Sequence, residues 1–193
     1  MKTIIFLTVI LSATIFSQSQ YPTFVADTIR FVRDSNATTY ADGDIITDST
    51  SDNKYFVFSN IGQGKTDSRG KITYVTVQMD TANATNTTVK IRFFAPSGDT
   101  TGLWAALPAD NAAFQGKFII SGGSILQFGD VAVTLGIFGT TAAGSTVSEG
   151  SATAAIPYRL PDGKLYCVVI ATGAFTPKSA GIFRIMVYAD RQL

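Results

Sequence analysis

Lys164-Leu165-Tyr166-Cys167-Val168-Val169-Ile170-Ala171 and Ile182-Phe183-Arg184-Ile185-Met186-Val187-Tyr188-Ala189 are two apolar, β-branched runs that flank a Gly/Pro/Ser loop, Thr172 to Gly181. Each run has the length and composition of a strand. A chain with this ending is expected to close its sheet with its own C-terminus. The expectation is a rigid all-β body that offers a surface rather than a catalytic cleft.

Working back from these runs, short strand patterns recur with turn signals between them. Thr28 to Arg33 alternates, with Ile29, Phe31 and Arg33 on one side. A polar stretch from Asp34 to Asn53 follows, and its Asp42-Gly43 pair marks a turn, since Gly accepts φ > 0. Tyr55 to Phe58 precedes a Gly-rich loop, Gly62 to Gly70. Ile72 to Met79 predicts a strand with Val75, Val77 and Met79 on one face and Ile72, Tyr74, Thr76 and Gln78 on the other. Thr88 to Phe93 places Val89, Ile91 and Phe93 together. The polar Thr81 to Thr87 link predicts that these two strands form a hairpin.

The middle is less regular. Leu103 to Leu107 reads as a strand end or helical turn, and Asp110 could cap a turn through Phe114. Phe118 to Ile120, Ile125 to Phe128 and Val131 to Phe138 are short strands, and Gly139 to Ala154 reads as a small-residue loop. The sum is a single antiparallel β-sandwich, jelly-roll-like, with about eight to ten strands. The domain occupies residues 21–193. Residues 1–20 form an apolar N-terminal segment with two open readings, a secretory signal peptide or a retained β segment.

Composition narrows the chemistry. The chain has 193 residues, of which 46% are hydrophobic and 15% charged, with a net charge of +1. No strong field draws nucleic acid. The sequence contains no histidine, so the usual general base and commonest metal ligand are missing. The single cysteine, Cys167, sits in an apolar run and reads as a small buried hydrophobe.

Several motifs approach a functional pattern without completing it. Gly62-Gln63-Gly64-Lys65-Thr66 resembles the end of a phosphate-binding loop, but Ser59 stands where the first glycine belongs and a strand follows instead of a helix. Asp42, Asp44, Asp48 and Asp52 lack calcium-loop spacing and read as a solvated turn. Glu149, the only glutamate, falls in the small-residue stretch. Ser51 to Lys54 matches Ser-x-x-Lys without the companion motifs of that chemistry. Asn36, Asn83 and Asn86 open glycosylation patterns. Most aromatics lie inside apolar runs and are expected in the core. Trp104, among Thr, Gly and Pro residues, is the candidate partner-binding residue, with an ordinary core role as the alternative. No catalytic, cofactor-binding or metal residues are expected.

Four phrases together resemble the decoration (cement) proteins of tailed-phage capsids. They are Thr39 to Ile46, Val89 to Phe94, Asp110 to Phe114, and Leu165 to Ala171 continuing through Phe175 to Phe183. The resemblance covers about residues 28 to 190, and the apolar start departs from it. It implies a jelly-roll-like fold, no catalysis, and assembly as a homo-oligomer, often a trimer, on the major capsid protein at the capsid exterior. No nucleic acid or small-molecule substrate is expected. The alternative is a secreted or cell-surface bacterial β-sandwich that binds carbohydrate or protein.

Overall fold

The computed structural model describes residues 23–33, 39–46, 48, 55–80, 87–96, 119–120, 123–140, 146–176 and 180–192. These residues form strands β1 (Thr23–Val32), β2 (Ile45–Ile46), β3 (Phe56–Phe58), β4 (Ser68–Met79), β5 (Thr88–Pro96), β6 (Ile119–Ile120), β7 (Gly123–Thr134), β8 (Gly136–Thr140), β9 (Thr146–Leu160), β10 (Leu165–Thr172) and β11 (Ile182–Gln192). Since β2 and β6 have two residues each, nine longer strands remain, inside the expected range.

One sheet has the order β1-β11-β4-β9-β8, and the other β2-β10-β5-β7-β6 with β3 also on β10. Every pairing is antiparallel. Sequence neighbours mostly sit in opposite sheets while distant strands pair, which is the interleaved order of a jelly roll. The closing runs are strands as expected, but β10 and β11 belong to different sheets.

The alternation explains the core. Val75, Val77 and Met79 of β4 and Phe183, Ile185 and Val187 of β11 meet Val89, Ile91 and Phe93 of β5 and Leu165, Cys167 and Val169 of β10 in one apolar cluster. Burial pushes the Cys167 thiol well above its ordinary value, as a hydrophobic role requires.

Four sequence expectations need correction. First, β4 and β5 do not form a hairpin: β4 pairs with β11 and β9, and β5 with β10 and β7. Each strand has an apolar face that needs an opposing sheet, so the polar link joins two layers. Second, Ile72 does not share a face with Tyr74. A bulge between them turns Ile72 to the core, where it is fully buried, while Tyr74 stays outside. Third, residues 146–154 are not loop but the first part of β9, a strand of 15 residues. Small residues are needed there because the layers approach closely. A Cβ on Gly150 would lie 2.1 Å from the Thr134 carbonyl oxygen. Fourth, the separate strands read at Ile125 to Phe128 and Val131 onward are joined in β7 up to Thr134. Beyond it the chain crosses to the other sheet at Leu135, which is fully buried and donates its N–H to the Thr87 carbonyl at 2.7 Å.

Candidate functional site

Antiparallel pairing sets outward side chains of the five-stranded sheet in rows across β1, β11, β4 and β9. One end is aromatic. Tyr188 stands directly opposite Tyr74, and Phe24 lies diagonally across from Tyr188. Phe24 and Tyr188 stack at 5.7 Å between ring centroids, and Tyr74 meets Tyr188 edge-on at 5.8 Å. Phe24 is 61% exposed and Tyr74 37%, the exposed large hydrophobics among the described residues. Such pairs add to sheet stability, but stability does not require their exposure to solvent.

The other end is polar. Arg30, Arg184, Gln78 and Glu149 stand in register across the four strands. Arg184 donates from Nη1 to Gln78 Oε1 at 3.1 Å, and Gln78 donates from Nε2 to Glu149 Oε2 at 3.0 Å. Arg30 and Arg184 are directly opposed like charges, an arrangement that disfavours pairing. Beside them a cavity of about 300 Å³ opens between Arg30, Gln78, Asp80, Ile182 and Arg184. Between the ends lie Thr28, Met186, Thr76 and Ser151.

The outer face of the second sheet contrasts with this. Ile45, Phe94, Tyr166 and Val168 are buried there, with Tyr55 and Val57 packed against them. The Tyr166 hydroxyl donates to Asp162 at 2.8 Å, and burial raises its pKa. Toward β7 the face becomes polar, and Arg92 makes a bidentate pair with Asp130 at 2.9 Å for both bonds.

Sequence motifs occupy structural positions. Gly62 to Thr66 is a turn loop that leads into β4, and a Cβ on Gly62 would lie 2.1 Å from the Gly163 carbonyl oxygen. Gln63 accepts from the buried Arg191 guanidinium. Asp42 accepts from the Gly173 N–H at 2.9 Å and Asp44 from the Ala41 N–H at 2.7 Å, so two of the clustered carboxylates brace a turn. Gly43 has φ 94° there, as the Asp-Gly pair predicts. Among the described residues no three His, Cys, Asp or Glu side chains converge as metal ligands. Glu149 is on a strand rather than in a loop. Trp104, Asp52, Ser51 to Lys54, Asn36, Asn83, Asn86, Leu103 to Leu107, Asp110 to Phe114 and residues 1–20 lie outside the described residues.

The exposed aromatic row was only partly legible. Alternation along Ile72 to Met79 and along the final run puts Tyr74 and Tyr188 on the face opposite the core. Phe24 precedes the first strand pattern recognised in the sequence, and extending the Phe31 alternation backward places it on the same outer face.

Three of the four resemblance phrases converge. Tyr40 and Phe175 exchange backbone hydrogen bonds at 2.9 and 3.2 Å. Ile45 and Ile46 pair with Ile170 and Val169, and Val89 to Phe94 pairs with Tyr166 to Ala171. Beside them the buried Arg33 donates to the Tyr40 hydroxyl at 2.9 Å and lies over its ring at 4.7 Å.

No family model matches the chain, and no curated protein does. Among solved structures, that of tomato aspermy virus is 13% identical, covering 100% of this chain and 96% of that one, with a TM-score of 0.33. The heated full particle of Israeli acute paralysis virus is 14% identical, covering 93% and 77%, with a TM-score of 0.31. The Kashmir bee virus empty particle is 11% identical, covering 92% and 93%, with a TM-score of 0.31. Likeness at this level carries no argument, and the functional reading rests on the residues themselves.

Proposed function

We propose that this chain is a structural component of a virion, and more finely a tailed-phage capsid decoration protein. In this reading it is a homo-oligomer, a trimer, seated on the major capsid protein at the shell exterior. It performs no catalysis and takes no cofactor. The observation that carries the reading is the convergence of the resemblance phrases. Thr39 to Ile46, Val89 to Phe94 and the Leu165 to Phe175 part of the last phrase are remote in sequence yet pair with one another in one sheet, while that phrase ends at Ile182-Phe183 in the other. The shared phrases therefore form one framework rather than scattered strand-like stretches. Jelly rolls recur in viral capsid and lectin domains, and fold alone does not choose between them.

The function asks for a stiff body with a contact face. A standard interface removes about 1,200–2,000 Å² from water, and a lattice repeats it many times, which multiplies weak contacts. Mass spectrometry of purified particles tests the proposal. The expected result is this chain at a fixed ratio to the major capsid protein; its absence from the particles overturns the proposal.

The outward row of Phe24, Tyr188 and Tyr74, exposed at both ends, favours a second reading, a secreted or cell-surface protein that stacks carbohydrate on aromatic rings. N-terminal sequencing separates the two. A mature start near Gln20 supports export, and an intact Met1 supports the virion component.

A further inference from the structure

We propose that the outer face of the five-stranded sheet is a contact between two copies of this chain, related by a two-fold axis that crosses the strands at Met186 and brings the aromatic end of each face over the arginine end of the other. This goes beyond the virion reading and does not rest on it: a two-fold contact leaves other surfaces free for a trimer or a shell.

The geometry follows from the register. Rows on this face recur every second residue, about 6.7 Å apart. Met186 occupies the middle row, opposite Thr28 and Thr76. Rotation about that row superposes each strand on its own copy and reverses its direction. Tyr188 then meets the Arg184 guanidinium of the other copy, a cation over an aromatic face. Phe24, 61% exposed, meets Val32. Lys71, at the aromatic end, meets the end that holds Asp80. Of the opposed Arg30 and Arg184, costly neighbours within one sheet, Arg184 gains the Tyr188 ring of the partner and Arg30 faces its small Ala26. An isologous contact satisfies both ends at once, because residue i meeting j implies j meeting i.

Size agrees with this occupant. Four strands at ~4.8 Å and about nine residues at ~3.3 Å give a face of roughly 20 by 30 Å, on the order of 600 Å² per copy. Two such faces reach the lower end of standard interfaces. Sheets packed face to face, with strands close to aligned, are an ordinary arrangement.

Sedimentation velocity on the full chain, with site-specific thiol cross-linking, tests the contact. The expected result is a concentration-dependent dimer whose dissociation constant rises roughly tenfold or more in Tyr188→Ser and in Arg184→Glu. Met186→Cys is expected to be joined to its mate by a short bismaleimide, which spans the ~10 Å between packed sheets, because it lies on the axis. Phe24→Cys is expected to give no cross-link, since it stands about 27 Å from its own mate. Buried Cys167 leaves the assay clean, and circular dichroism of each variant separates lost contact from lost fold. A monomer at all concentrations overturns the proposal. So does equal cross-linking at positions 24 and 186, and so does a monomer that instead binds an insoluble polysaccharide through Tyr74 and Tyr188.

Discussion

The chain's last two strands look alike in composition yet live in different surroundings. In β10, every residue from Leu165 to Ala171 is buried, on both faces. In β11, buried Phe183, Ile185, Val187 and Ala189 alternate with partly or fully exposed Ile182, Arg184, Met186 and Tyr188. The difference lies in the outer face of each sheet. Beside β10 that face carries a second apolar cluster, Ile45, Phe94, Tyr166 and Val168. Beside β11 it is open and ends in aromatic rings and arginines. A continuous apolar run marks a strand covered on both sides, whereas an alternating run marks a strand with a face to offer.

The sharpest way to break this contrast is to place a charge on each outer face. Val168→Asp buries an uncompensated carboxylate at a fully enclosed site and is expected to cost about 3–5 kcal/mol. Thr76→Asp, on the open face, is expected to cost no more than about 1 kcal/mol. Urea titration of both variants measures the difference, and equal losses would show that the second sheet is not enclosed.

The next effect concerns how closely the layers meet. At Gly150 a Cβ would lie 2.1 Å from a carbonyl oxygen, whereas at Gly136 it would lie 4.0 Å from the Glu149 carbonyl oxygen. Gly150→Ala is expected to lose about 2 kcal/mol by overpacking, and Gly136→Ala to stay within about 0.5 kcal/mol of the parent. Thermal unfolding midpoints check this pair.

A smaller effect belongs to the polar border of the enclosed sheet. A double-mutant cycle on Arg92→Ala and Asp130→Ala is expected to return a coupling of about 1 kcal/mol, because the bidentate geometry holds both groups in place. A coupling near zero would make the pair ornamental.

The mildest effect appears only in alkali. Burial pushes the Tyr158 hydroxyl up to about 12 from the ordinary 10.0. Above pH 10 the unfolded chain's tyrosine ionises while the folded one stays neutral. Stability from this group is therefore complete below pH 10 and is lost as pH rises toward 12. The same hydroxyl is buried without a hydrogen-bond partner among the described residues. Tyr158→Phe should flatten the alkaline loss at little cost near neutral pH, as seen in unfolding curves at pH 8 and 11.

Much of the fold is legible because its strands follow a period of two. Ile29 and Phe31 share the inner side of β1, with Arg33 buried just past its end, and Val89, Ile91 and Phe93 share that of β5, as alternation predicts. Pairing partners are not legible. The polar link from Thr81 to Thr87 looks the same whether it turns within one sheet or steps between two. The bulge between Ile72 and Tyr74 breaks the period without a Gly or Pro to announce it. The Gly/Ser/Ala stretch ahead of Ile156 looks like loop because small residues signal either freedom or crowding, and here the cause is crowding. The outer aromatic row was half readable: alternation separates Tyr74 and Tyr188 from the core, but only the register brings them beside Phe24.

One feature of the topology bears on how the molecule comes into being. Among the described strands, β1 hydrogen-bonds only to β11, and β4 needs β11 on one of its edges. During synthesis both older strands emerge with that edge bare. Until Ile182 to Gln192 leaves the ribosome, β1 has no strand to pair with and β4 has only β9, which leaves apolar side chains of that sheet open to chaperones or other nascent chains. β11 acts as the keystone of its sheet, so a ribosome that stalls just before it releases a product prone to aggregate rather than a smaller working protein.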